Sequence, residues 1–156
     1  MVVPSFYADS SVLIKRHIHE VGTDWVQALA DPAIGNAITT ARISIVEVWS
    51  ALNRRVREGN LTPSDYTRST VDFAALSVTE YTLIDLTVGI AKRAQMLLER
   101  HPLRAYDAVQ LASGLFANDL LIAMEQPTLT FLCADDRLLA AAQAEGLAID
   151  NPNSYE

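Results

Sequence analysis

The sequence has one cysteine, no long apolar run and no excess of basic residues, and each absence excludes a class of protein. With Cys133 as its only cysteine, the chain has no internal disulfide framework. No apolar run reaches the roughly 18 residues that span a bilayer, so we expect no membrane association. The N-terminus, MVVPSFYADSS, lacks the basic segment and the longer apolar core of a signal peptide. These absences predict a cytoplasmic protein.

The charge is negative and unevenly distributed. The formal net charge is −7; residues 1–58 carry six basic and six acidic side chains, whereas residues 59–156 carry six basic and thirteen acidic ones. Non-specific binding of nucleic acids depends on neutralisation of phosphates by Lys and Arg. Composition alone therefore argues against a nucleic-acid partner, unless a local basic patch or bound cations hold it.

The hydrophobic pattern predicts one globular α/β domain over residues 1–156, because half of the residues are hydrophobic and only 20% are charged. Strand and helix patterns alternate along the chain. Predicted strands cover residues 5–8, 37–40, 82–86, 129–133 and 147–150. Predicted helices cover residues 12–17, 22–29, 43–58, 63–76, 88–99, 104–124 (with a possible interruption at 118–119) and 136–144. This alternation predicts a central, mainly parallel sheet of four to five strands between two layers of helices.

Four acidic residues lie at or near the junctions of these elements. Asp9 and Asp135 each follow a strand and open a helix, which places them at the carboxyl edge of the sheet, where ligands bind in such folds. Asp107 lies in the first turn of a helix that the same architecture could bring there. Taken singly, each has a structural explanation, since an N-cap contributes about 1 kcal/mol and an acid near a helix N-terminus a few tenths to 1 kcal/mol.

Glu47 differs from these acids because it lies in the middle of a helix, where no cap is needed. Its helical face carries Ile43, Ser44, Ser50, Ala51 and Arg54, opposite an apolar stripe. This pattern fits a solvent-exposed Glu paired with Arg, and it fits equally a helix whose small residues leave room for a ligand. The face of Asp107 leaves the same two interpretations open.

Convergence of the four acids would require a cation. Neighbouring carboxylates repel one another and raise one another's pKa values. Hard divalent ions such as Mg²⁺ and Mn²⁺ prefer sites made only of oxygen. Such sites perform metal-assisted phosphoryl chemistry, and two divalent ions would also reduce the net charge from −7 to −3.

Four segments, in this order and spacing, resemble the acidic motifs of the PIN-domain ribonucleases. They are YADSSVLIK, SIVEVWSAL, LRAYDAVQLAS and FLCADDRLLAAA. The likeness is strongest to the VapC-type toxins of toxin–antitoxin pairs and covers essentially the whole chain. It implies a PIN-like α/β/α sandwich that cleaves RNA with Mg²⁺ or Mn²⁺. It also implies a tRNA or rRNA substrate, a cognate antitoxin and a homodimer.

The resemblance also implies roles for individual residues. Matched motif by motif, the catalytic and metal-binding acids are Asp9, Glu47, Asp107 and Asp135. Ser11 supports the site by hydrogen bonding, and Asp136 is the second choice for the fourth acid. Three basic residues near the motifs are candidates for phosphate contacts, with simple surface charge an equally good explanation: Lys15, Arg42 and Arg104.

Three other functions compete with this interpretation. A catalytically silent PIN-like domain would act through protein binding alone, and the intact set of four acids argues against it. An Asp-based phosphatase usually needs a second acid two residues after the first, where this chain has Ser11. A phospho-accepting receiver domain needs an acidic pair at the first strand and a late Lys, which the sequence lacks.

Overall fold

Five parallel strands form one sheet in a computed structural model that describes residues 2–156. The predicted domain of residues 1–156 includes Met1, which lies outside the described residues. The strands are β1 (Ser5–Ala8), β2 (Ala37–Ala41), β3 (Tyr81–Ile84), β4 (Thr130–Leu132) and β5 (Ala148–Asp150).

Seven α-helices in residues 2–156 flank the sheet. They are α1 (Ser10–Leu13), α2 (Thr23–Leu29), α3 (Ile43–Arg57), α4 (Pro63–Thr79), α5 (Val88–Arg100), α6 (Ala105–Ala123) and α7 (Asp136–Ala144). Short 3-10 turns follow α1 at Ile14–Arg16 and β5 at Pro152–Ser154. The prediction of an α/β/α sandwich with a mainly parallel sheet is confirmed.

The strand order, β3-β2-β1-β4-β5, determines where a ligand can bind. From β1 the chain builds the sheet outward on one side through β2 and β3, and then on the other side through β4 and β5. The order therefore reverses between β1 and β4, which are paired from Phe6 with Thr130 to Ala8 with Leu132. A cleft opens beyond the carboxyl ends of the strands at such a switch point.

Each face of the sheet is covered by its own hydrophobic core. Residues of α1–α4 pack on one face, around Val48, Leu52 and Phe73. Residues of α5–α7 pack on the other, around Leu97, Leu111 and Leu138. Because α3 and α6 lie on opposite faces, acids on these two helices can approach each other only at the edge of the sheet.

The differences from the predicted elements are small and have local causes. The first helix is shorter than predicted, because its last turn tightens into the 3-10 segment. Helix α6 is continuous through Asn118, whose side-chain Oδ1 accepts a hydrogen bond from the Leu129 amide at 3.1 Å. In the described part of the chain, no helix combines the length and the apolar character needed to cross a membrane.

Candidate active site

Asp9 lies directly after β1 and is buried, with 5% of its surface exposed. Its carboxylate accepts hydrogen bonds from the Ser11 hydroxyl at 2.5 Å, the Cys133 thiol at 3.0 Å and the Val12 amide at 3.3 Å. Burial raises the pKa of Asp9 to about 6, although the thiol and hydroxyl hydrogen bonds oppose the shift. Asp9 is thus both the N-cap of α1 and an acid whose charge the protein alone stabilises poorly.

Glu47 projects from α3, on the face that borders a groove. The groove wall includes Ile43, Ser50, Ala51 and Arg54, the same face that the helical wheel identified. Glu47 accepts a hydrogen bond from the Gln110 side chain at 2.7 Å. Burial raises the pKa of Glu47, and the charge of Asp107 raises it further. The structure therefore matches the interpretation in which small residues leave room beside Glu47.

Asp107 lies half-buried in the first turn of α6. Burial raises the pKa of Asp107, and the charge of Asp135 adds to the shift. Asp135 caps α7 by accepting a hydrogen bond from the Arg137 amide at 2.8 Å. Asp136 is exposed and accepts a hydrogen bond from Asn151 at 2.9 Å. Of these two acids, Asp135 is the one whose charge reaches Asp107.

The four acids form a chain of electrostatic neighbours. The charge of Glu47 raises the pKa of Asp9, Asp107 raises that of Glu47, and Asp135 raises that of Asp107. Within residues 2–156, however, no three His, Cys, Asp or Glu side chains are close enough together to form a ready-made metal site. The structure brings the acids to one edge of the sheet without closing them into a cluster.

The chemistry of this set of side chains fits a hard divalent cation. All four candidate ligands are carboxylates, which Mg²⁺ and Mn²⁺ prefer. Three of them have raised pKa values because they are removed from water near other negative charges. A divalent cation would remove this unfavourable electrostatic energy.

A groove of about 890 Å³ lies along α3, and Glu47 is the one of the four acids that lines it. Arg104 lines it and is exposed. Lys15 also lines it, but its ammonium group is buried, donating to the Val21 carbonyl at 2.8 Å and to Glu20 at 3.3 Å. Arg42 is ion-paired with Asp85. Among the three predicted phosphate contacts, Arg104 has the most accessible position in the groove.

Comparison with known proteins assigns this chain to a family. The family model described as "PIN domain" matches residues 6–125, a span that contains Asp9, Glu47 and Asp107. The chain belongs to the PIN-domain family. It is also 32% identical over 150 residues to Ribonuclease VapC45 and to Ribonuclease VapC49, both of Mycobacterium tuberculosis, covering 94% of this chain and 95% of each relative.

Solved structures share the PIN-domain fold at low sequence identity. M. tuberculosis VapC20, described as a Sarcin-Ricin loop cleaving toxin, superposes with a TM-score of 0.60 at 19% identity, covering 87% of this chain and 94% of that one. The structure of VapBC2 from Rickettsia felis, bound to a DNA fragment from its promoter, gives a TM-score of 0.58 at 10% identity. The match covers 94% of this chain and 98% of that one. These likenesses support the fold.

Sequence reasoning missed several side chains at this PIN-domain site. Cys133 is buried directly after β4, and its thiol donates a hydrogen bond to Asp9 and accepts one from the Asp135 amide at 3.2 Å. Arg54, which the pattern of α3 also allows as an ion-pair partner of Glu47, lines the groove. The spacing of Arg54, two helical turns after Glu47, was the available signal. Nothing local to Cys133 indicated a contact with a residue 124 positions away.

Proposed function

We propose that this protein is a divalent-metal-dependent endoribonuclease and the toxin of a toxin–antitoxin pair that inhibits translation and growth. The observation that carries the proposal is the placement of Asp9, Glu47, Asp107 and Asp135. They come from four separate segments and both faces of the sheet, yet they lie along one edge of it, beside the switch point. Curated relatives that are ribonucleases support the assignment of RNA as the substrate.

Mg²⁺ or Mn²⁺ is the cofactor that fits the site. Asp9, Glu47 and Asp107 would hold it, directly or through water, and Asp135 would complete or orient the site. When bound, such an ion supplies Lewis acidity toward the phosphate and lowers the pKa of water at the site. Ser11 and Cys133 orient Asp9 by donating to its two carboxylate oxygens.

The groove supplies the contacts for a single RNA strand. Arg104 and Arg54 lie in its wall, where each can neutralise a backbone phosphate. Tyr106 is exposed in the same wall beside Asp107 and can stack on a base. This local arrangement answers the objection raised by the net charge of −7, because Arg54 and Arg104 face the groove despite the acidic total. A single-stranded loop of tRNA or rRNA is the substrate that such a groove fits.

Two protein partners complete the proposal. The solved relatives include toxin–antitoxin complexes from R. felis and Klebsiella pneumoniae, which supports a cognate antitoxin for this chain. A second copy is the other partner, since Phe116, Leu120 and Met124 form an exposed apolar stripe at four-residue spacing on and just after α6. Both assemblies would form in the cytoplasm.

Incubation of the purified protein with total RNA tests the proposal. We expect cleavage with Mg²⁺ or Mn²⁺, no cleavage with EDTA, and loss of cleavage in Asp9→Asn and in Asp107→Asn. The matched control is Asp119→Asn. Asp119 is an exposed acid of α6, the helix of Asp107, and its carboxylate pairs with Arg93 at 2.7 Å. This variant should cleave RNA like the wild type.

Two results would contradict the proposal in different ways. Unchanged cleavage in Asp9→Asn and Asp107→Asn would reject the assignment of the site. Absence of cleavage of any RNA by the folded, metal-loaded protein would favour the catalytically silent binding domain.

A further inference from the structure

Gln110 connects the two helices that carry the central acids. It lies one turn after Asp107 in α6 and is 1% exposed. Its side-chain Nε2 donates to Glu47 Oε1 at 2.7 Å and to the Ser44 hydroxyl at 2.8 Å, both in α3. Its Oε1 accepts a hydrogen bond from the Tyr7 hydroxyl of β1 at 2.5 Å. One buried amide therefore joins α6, α3 and the central strand.

The partners of Gln110 allow one orientation of its amide. An ionised carboxylate only accepts hydrogen bonds, so the group that faces Glu47 must be the NH₂. The amide oxygen must then face Tyr7, and the Tyr7 hydroxyl must donate. The same hydroxyl accepts a hydrogen bond from the Ala41 amide at 3.1 Å through a lone pair, which leaves its O–H to donate to Gln110. Tyr7 thus fixes the direction of the Gln110 amide, and the amide fixes the Glu47 carboxylate.

Glu47 needs such support more than the other acids do. Asp9 and Asp135 are short side chains held by backbone amides at helix N-termini. Glu47 lies in the middle of α3, where the backbone amides are used within the helix. Its longer side chain has more rotatable bonds, so its carboxylate depends on side-chain partners for a fixed position.

We propose that Gln110, itself oriented by Tyr7, is a positioning residue that fixes the Glu47 carboxylate for binding the divalent cation. The inference rests on the proposed function, because it assigns a role to Gln110 at the same metal site. Residues that hydrogen-bond to metal ligands fix ligand orientation, and their loss costs about 10- to 100-fold in metal affinity or activity. Gln110 is in this position relative to Glu47.

Calorimetric titration with Mn²⁺ tests the proposal on four proteins: the wild type, Gln110→Leu, Glu47→Gln and the double variant. Leu has a similar volume to Gln and cannot donate. We expect Gln110→Leu to weaken Mn²⁺ binding by about 10- to 100-fold. In the Glu47→Gln background the same change should have little further effect, because Gln110 acts through Glu47.

Asn118→Ala separates this role from a general loss of stability. It removes another buried side-chain amide of α6, at the far end of the helix, which accepts a hydrogen bond from the Leu129 backbone amide. We expect Asn118→Ala to lower the melting temperature while leaving Mn²⁺ affinity unchanged. Wild-type Mn²⁺ affinity in Gln110→Leu, or an equal loss with and without Glu47, would overturn the proposal.

A metal-free crystal structure of Gln110→Leu distinguishes failure of this inference from failure of the proposed function. Displacement or disorder of the Glu47 carboxylate there is the expected result, and it would uphold positioning even if the wild type cleaved no RNA. An unmoved Glu47 would overturn the positioning role, whatever the activity of the wild type.

Discussion

At the scale of one residue, Asp9 is a carboxylate in surroundings that disfavour its negative charge. Its carboxylate is buried beside a thiol, a hydroxyl and a backbone amide, and the charge of Glu47 acts on it. Burial also raises the pKa of Cys133, and the Asp9 charge raises it further, so Cys133 stays a thiol and can donate. These donors orient Asp9 without supplying the positive charge that would fully stabilise it.

The pKa of Asp9 predicts how stability depends on pH in the metal-free protein. Its folded-state pKa of about 6 lies above the ordinary 3.8, so the folded state holds the proton more tightly. The stabilising contribution of protonated Asp9 is therefore complete below pH 4 and is lost as the pH rises to 6. At 1.36 kcal/mol per pKa unit, the charge on Asp9 lowers the free energy of unfolding at pH 8 by at most about 3 kcal/mol.

Asp9→Asn should remove this cost and keep the N-cap of α1, since Asn caps helices as well as Asp does. We expect chemical denaturation at pH 8 without metal to give Asp9→Asn a free energy of unfolding about 1–3 kcal/mol above the wild type. The difference should vanish near pH 4, and added Mn²⁺ should stabilise the wild type alone. A variant that is less stable than the wild type at pH 8 would contradict this account.

Much of the site could be predicted at the residue scale, but only where the signal is local. Asp9, Ser11 and Asp135 stand next to recognisable strand ends and caps. The partners Gln110, Tyr7 and Cys133 contribute through contacts between residues 63 to 124 positions apart in the chain. Periodicity describes one helix face at a time and contains no information about which other element that face meets.

Helix α6 is the element on which the position of Asp107 depends. Its buried positions are rich in small residues, which allow the helix to lie close to the sheet. At Gly114 a Cβ atom would lie 2.7 Å from Cδ2 of Phe131 and 3.4 Å from Cγ of Tyr7. Phe131 cannot move away easily, because it is fully buried and its ring stacks on Tyr7 at 5.1 Å between centroids.

Gly114→Ala should therefore destabilise the protein, although Ala is the better helix former. Overpacking of this kind costs about 1–3 kcal/mol, which thermal denaturation would report as a lower melting temperature. The matched control is Gly89→Ala in α5, where the nearest atom to an added Cβ is Thr87 Oγ1 at 3.9 Å. Gly89→Ala should leave stability unchanged or raise it. Equal melting temperatures for the two variants would show that α6 can move away from the sheet.

The sequence predicted which elements are helices and which are strands, and their order along the chain. It predicted the first and last residues of these elements less well. Helices with strong periodicity, such as α3 and α5, were placed within a residue or two. Strands β3 and β4 are shorter than predicted, because ladder pairing with neighbouring strands decides where a strand ends. The tightening of the chain after α1 into a 3-10 turn has no separate signal in the sequence.

The sheet order explains, at the scale of the whole molecule, why four acids that are distant in the sequence lie along one edge of the sheet. Asp9 follows β1 and Asp135 follows β4, the two strands on either side of the switch point. Glu47 approaches from the helical layer of α1–α4 and Asp107 from the layer of α5–α7. The alternation of strands and helices predicted the parallel sheet, but strand order depends on tertiary packing, so the placement of the four acids along one edge needed the structure.

Anomalous X-ray scattering from crystals containing Mn²⁺ would show whether these four acids form one divalent-cation site. We expect an anomalous peak at the carboxyl edge between β1 and β4. It should lie roughly 2.0–2.6 Å from a carboxylate oxygen of Asp9 and of at least one of Glu47, Asp107 and Asp135, as expected for hard cations. The peak should disappear in Asp9→Asn crystals. A peak elsewhere, or none at saturating Mn²⁺, would contradict the account.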